Sequence, residues 1–372
     1  MHNLKSCIHL FSFLFLSILV LSCSKEEDVI DDSSQDDTDM TDPNDQTPDN
    51  PDNPDNTNPP ETLVLETGFT IDEERAFTNL VLSESEYNKF LIDEGDMQMV
   101  SNKVYEHFND EFDFIIILNV EDSQPDGLYF GLSTPAQSDI QGLGRNIWDN
   151  TNAFGSAGKL KTVIHMPRAE YIRNGPFLHE IQHYWSNHGL IPTTAGGHWG
   201  YSSAGGQLGG FDEVEDLGGN TYRGLVDGEV GFGTVANGGN SVPYSNLELY
   251  AMGLIDASDL EAVTVAENPS STSEFGVFTA DGLTVLTPED IINENGPRVP
   301  SSENAQTAFK ALVVVLSTGD VPQDKIDALN SNLENFAAQG DPDNSWGNLF
   351  NFWKATLGKA TFDFEIANEY LK

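Results

Sequence analysis

The stretch FLHEIQHYWSNHG, residues 177–189, puts three histidines and a glutamate into thirteen positions. Asn174, Gly175 and Pro176 ahead of it supply a capping side chain or glycine and a first-turn proline, and Gly189 supplies a stop. The spacing predicts a helix of about three and a half turns. On such a helix residues four apart lie roughly 40° apart around the axis, so the imidazoles of His179 and His183 converge on one point. That is zinc-ligand geometry. Glu180, turned about 100° from His179, need not ligate. From there it can take a proton from a water held on the metal and pass it to a leaving amine. Zinc lowers the pKa of such a water towards ~7 and polarises the substrate carbonyl. The reaction expected is metal-assisted hydrolysis of a peptide bond; the bland alternative is a pair of incidental helix-surface histidines.

The site needs a third ligand. His188 lies five residues beyond His183, about 140° around the helix, and would point away from the ion unless the helix broke. A C-terminal cap facing the negative end of the helix dipole suits it better. Downstream, TTAGGHWGYSSAGGQLGGFDEVEDLGG at residues 193–219 is too irregular for regular structure and too long for an idle connection. His198 within it is flanked by glycines that let the backbone bend sharply, and it is the expected third ligand. A carboxylate from Asp212, Glu213, Glu215 or Asp216 is the main rival, ahead of His188. His107 and His165 read as ordinary helix and strand residues.

At the start, one lysine precedes an apolar run over residues 8–21, short for a membrane span and right for the core of a signal peptide. The run ends in Val20-Leu21-Ser22-Cys23, which resembles the lipobox of bacterial lipoproteins; the resemblance implies a signal peptide over residues 1–22 and a lipid on Cys23. The following SKEED resembles a cluster that directs some lipoproteins to the outer face of the outer membrane, so a surface-exposed outer-membrane lipoprotein is expected. Cys7 would leave with the signal, so no thiol or disulfide is expected in the mature chain, and any metal site must use nitrogen and oxygen ligands. Residues 23–62 are nearly all Asp, Asn, Pro, Thr and Ser, an acidic, disordered tether stiffened by its prolines. Fourteen of the 60 acids and two of the 17 bases precede Thr62, so the remainder carries 46 acids against 15 bases, a net −31. Such a surface argues against nucleic acid as a partner. The expected partners are a protein or peptide substrate and, through the lipid alone, the membrane. A monomer is expected. So acidic a secreted domain admits structural calcium, although no EF-hand loop is present and GDPDNSWG from Gly340 only faintly imitates one.

Along the remaining chain, residues 83–109 read as helical, with Val100, Val104, Tyr105 and Phe108 on one side. FDFIIILNV, GLYFGLS and LKTVIHM read as strands. SNLELYAMGLI restarts a helix, because Ser245 and Glu248 have capping-box spacing. AQTAFKALVVVLS, PQDKIDALNSNLENFAAQ and NSWGNLFNFWKATLG read as helical.

The motif partly resembles that of metzincin peptidases, but Ser186 and Gly189 stand where those have the turning glycine and third histidine. The succession HEIQHYW, GGHWG, GGQLGGF and YSNLELYAMGL, across residues 104–316, resembles a group of bacterial secreted proteins regarded as zinc metallopeptidases. The His-Trp pair after the helix is a fixed feature of that group, which supports His198. The resemblance also implies that Met252 floors the zinc site; its amphipathic setting beside Leu249 and Leu254 equally fits a core methionine. Tyr201 and Tyr250 are close enough in sequence to serve as oxyanion donors. The expectation is a zincin-like α/β (α+β) domain over residues 63–372, an N-terminal lobe to about 190 with a small mixed sheet and a mostly helical C-terminal lobe. It would be a surface-anchored zinc endopeptidase. The alternatives are an inactive zincin-fold binding module and a zinc hydrolase of a non-peptide substrate.

Overall fold

The computed structural model describes residues 62–186, 189–192 and 194–372; the signal segment, Cys23, nearly all of the tether and His188 lie outside the described residues. Three short strands come first, β1 (Leu63–Glu66), β2 (Phe69–Ile71) and β3 (Thr78–Val81), then helices α1 (Glu84–Phe90) and α2 (Met97–His107). Ser83 and Glu86 close a capping box on α1, and the Asp96 carboxylate caps α2 by accepting the Met99 N–H. The chain continues through β4 (Phe114–Leu118), β5 (Leu132–Pro135), a two-residue ladder of β6 (Gln137–Ser138) with β7 (Trp148–Asp149), β8 (Thr162–Met166) and the motif helix α3 (Phe177–Ser186). After it come β9 (Glu213–Gly218), β10 (Thr221–Val226), β11 (Glu229–Val230), α4 (Asn246–Met252), β12 (Val263–Glu267), β13 (Ser270–Ser271), β14 (Val277–Thr279) and β15 (Gly282–Leu286). The last elements are α5 (Pro288–Asn295), β16 (Ala308–Ser317), α6 (Gln323–Ala337), α7 (Phe352–Ala355) and β17 (Thr361–Asp363). The arrangement is mixed α/β of the α+β kind. No described helix is long and apolar enough to cross a membrane.

The main sheet runs β1-β2-β3-β16-β4-β8-β5, with β17 beside the first half of β16 and β3 beside its second half. Strands β3, β16, β4 and β8 are mutually parallel, and β5 closes the edge antiparallel to β8. A parallel sheet is covered on both faces, which is why FIIIL in β4 is apolar at every position. Successive side chains alternate between two cores. Phe114, Ile116 and Leu118 join Val313 and Val315 on the face that packs α3. Ile115 and Ile117 join Leu312 and Val314 on the face that packs α1 and α2. Leu178, Ile181 and Trp185 seat α3 on the first face.

Several elements differ from the sequence expectation. AQTAFKALVVVLS forms the central strand β16 and no helix, because its β-branched run is buried on both sides between β3 and β4. The C-terminal half is therefore not mostly helical, and the two halves share one sheet. NSWGNLFNFWKATLG yields only the one-turn α7 after a short 3₁₀ turn. GLYFGLS is mostly loop, with the strand beginning at Leu132. The start of helix α3 is held from a distance: the Asn240 side-chain oxygen accepts the Leu178 N–H at 3.0 Å, a role the sequence suggests for residues just ahead of the helix.

Beyond α3, β9, β10, β11, β13 and β14 form a second antiparallel sheet. It carries a small aromatic core in which Phe211 and Tyr222 stack on Phe278.

Candidate metal centre

His179 and His183 stand one turn apart on α3, and the structure brings His198 to them. Nε2 of His183 lies 3.0 Å and Nε2 of His198 lies 3.3 Å from Nε2 of His179. The three ligand nitrogens fall within 4.8 Å of one another. Zinc–nitrogen bonds of about 2.0–2.1 Å at tetrahedral angles place ligand nitrogens roughly 3.3 Å apart, so this donor set fits zinc. Among the described residues no fourth acid or histidine joins the group. Three protein ligands are the count of a catalytic zinc rather than of a closed structural one.

The chain delivers His198 by a tight turn. Ala195 and His198 form a bridge, and Gly196 and Gly197 between them both have positive φ, 42° and 85°. Two consecutive left-handed residues make a type I′ reversal, which a side chain at either position would strain. Trp199, fully buried, anchors the far side of the turn by donating its indole N–H to the Gly189 carbonyl at 3.2 Å.

Ring orientation is set by carbonyls. Nδ1 of His179 lies 2.6 Å from the Gln207 carbonyl oxygen, and Nδ1 of His198 lies 3.0 Å from that of Gly196. A carbonyl only accepts, so each proton sits on Nδ1 and each Nε2 lone pair faces the cluster. Burial holds the His179 pKa down at about 4, which keeps the ring neutral and able to ligate. The Gln207 carbonyl is fixed in turn by α4. Glu248, fully buried, accepts the backbone N–H of Gln207 at 3.1 Å, of Leu208 at 2.9 Å and of Ser245 at 2.8 Å. Its capping box with Ser245 thus also clamps the loop that orients a candidate ligand.

Glu180 is buried beside the cluster, and burial pushes its carboxyl up to about 8. A dication held by the three histidines would draw the carboxyl's pKa back down. Gly131, just ahead of β5, makes room for the side chain: a Cβ there would come within 2.4 Å of the Glu180 carboxylate oxygen.

These groups open into a cleft of about 740 Å³ lined by Tyr129 to Ser133, by Tyr171, and by Val235 and Ala236, with the three histidines and Glu180. Tyr129 and Tyr171 were not singled out by the sequence, because each arrives from an element distant in the chain. His165, read as an ordinary strand residue, supports one of them. Burial holds it neutral with a pKa near 3, its Nε2–H donates to the Asn119 oxygen at 2.7 Å, and its Nδ1 accepts the Tyr129 hydroxyl at 2.8 Å.

The other candidates lie elsewhere. Glu215 pairs with Arg223 at 2.9 Å, the Asp212 carboxylate accepts the Asp227 N–H at 2.8 Å, and Asp216 accepts the Gly218 N–H. With Glu213 they sit on or beside β9 and outside the histidine group. Met252 is buried in the core that packs α3 and lines a separate small cavity with Trp185 and Arg298. Tyr201 packs against Phe232 and Phe278, and Tyr250 is buried near Arg298; neither lines the cleft, which removes both as oxyanion donors.

Comparison with protein families, with curated proteins and with solved structures found no match for the chain.

Proposed function

We propose that the chain is a zinc-dependent peptidase, anchored at the cell surface through a lipid on Cys23 and held off the membrane by its acidic tether. The observation that carries this reading is the convergence of His179, His183 and His198 beside Glu180, in a cleft walled by an open strand edge. Zinc, when bound, supplies polarisation of the scissile carbonyl and acidification of a water. The three histidines would hold it through Nε2, and Glu180 would serve as the base that takes a proton from the attacking water and as the acid that returns it to the departing amine nitrogen. That chemistry leaves the substrate open; the edge strand favours a peptide. No strand among the described residues pairs with the outer side of β5, and Leu132 and Ser133 of β5 line the cleft. An extended peptide can add its own backbone hydrogen bonds to such an edge, next to the metal ligands.

Glu180→Gln is the test. The variant should keep its zinc and lose roughly 10²- to 10⁴-fold in kcat/KM on a peptide substrate, the usual worth of a positioned general base. Equal turnover by variant and parent would remove Glu180, and with it this mechanism.

A further inference from the structure

Two large apolar side chains stand in water at the cleft: Phe130 is 60% exposed and Val235 is 50% exposed. Phe130 is held there by a built support. Its ring leans on that of Tyr171 at 5.9 Å, and the Tyr171 hydroxyl donates to the Gln124 side-chain oxygen at 2.8 Å. The Gln124 amide in turn donates to the carbonyls of Leu128 at 2.9 Å and Tyr129 at 3.1 Å, which pins the segment leading to Phe130. An apolar surface fixed in advance binds an apolar group without the cost of ordering it.

Beyond the histidines and Glu180, no described residue lining the cleft offers a charge that could select a charged side chain, the lining holding no lysine, arginine or aspartate and no other glutamate. A charged substrate side chain seated there would be desolvated without a partner. An acidic one would meet in addition the net −31 of residues 62–372.

We infer that the cleft takes an extended peptide with a bulky apolar residue, aromatic or branched aliphatic, beside the scissile bond, and that Phe130 and Val235 determine this preference. The inference rests on the peptidase reading and adds a substrate class to it. Neighbouring backbone of the peptide lies along β5, and the apolar side chain covers Phe130 and Val235.

The test uses the full-length chain supplied with zinc and a panel of quenched fluorogenic peptides of one backbone. The residues on either side of the cleaved bond are varied in turn through Phe, Leu, Val, Ala, Lys and Asp. The expected result is a kcat/KM for Phe, Leu or Val at least tenfold above Ala and about a hundredfold above Lys or Asp, the discrimination apolar pockets reach. In Phe130→Ser the Leu-to-Ala ratio should shrink several-fold, through KM more than kcat. A flat profile, or a preference for a charged residue, overturns the inference while leaving a working peptidase. If no peptide in the panel or in a random library is cleaved by zinc-loaded protein, the peptidase reading fails and the inference falls with it.

Discussion

Gly131 shows how far a single residue can matter to the proposed chemistry without touching the metal. It precedes the edge strand, and the space where its side chain would be is filled by the carboxylate of Glu180. In Gly131→Ala the new methyl group displaces Glu180 and leaves the three histidines where they are. The expected outcome is unchanged zinc content with turnover lowered tenfold or more, since small misplacements of a catalytic group are costly. Turnover equal to the parent's would show that the Glu180 position is not set by this contact. At this scale the sequence was legible wherever chemistry follows from local spacing. His179, Glu180 and His183 lie within one helical turn, and the glycines around His198 announce a reversal. Gly131 and Tyr129 were illegible, because their meaning comes from Glu180 and His165, which only the fold brings near.

Helix α4 belongs to the candidate site although none of its residues lines the cleft. Its capping box was legible from Ser245 and Glu248, yet the larger part of what Glu248 does was not. The carboxylate also takes two N–H groups from the loop whose Gln207 carbonyl orients His179. Glu248→Ala would leave two buried backbone donors and one half-buried one without their acceptor, a loss of about 3 kcal/mol. It would also free the Gln207 carbonyl, and loss of a partner behind a ligand typically weakens metal binding by roughly 10- to 100-fold. Thermal unfolding and zinc titration of the variant check both; a variant as stable as the parent, with unaltered zinc affinity, would refute the clamp. Strand β16 marks the opposite limit. Its apolar run is long enough for a helix, and periodicity cannot separate a strand buried on both faces from a buried helix. The β-branched Val313, Val314 and Val315 were the signal that favoured a strand.

Across the whole molecule, the main sheet is assembled from both ends of the described chain, with β16 inserted between β3 and β4, laid down some two hundred residues earlier, and β17 added beside β16. The sequence showed β4, β8 and the motif helix but not β1, β2 or β3, and it suggested a division near residue 190 that the shared sheet does not have. Pairing between distant strands leaves no local trace in the sequence. The surface carries a large negative charge, while the cleft is mostly apolar around its histidines, so charge and site describe separate surfaces of the protein. The central claim is that these three histidines hold one zinc, and elemental analysis of zinc per full-length chain, in the parent and in His198→Ala after equilibration with zinc, tests it most directly. The account predicts one zinc in the parent and its loss in a His198→Ala variant that remains folded. A folded parent that carries no zinc and takes up none from excess would contradict it.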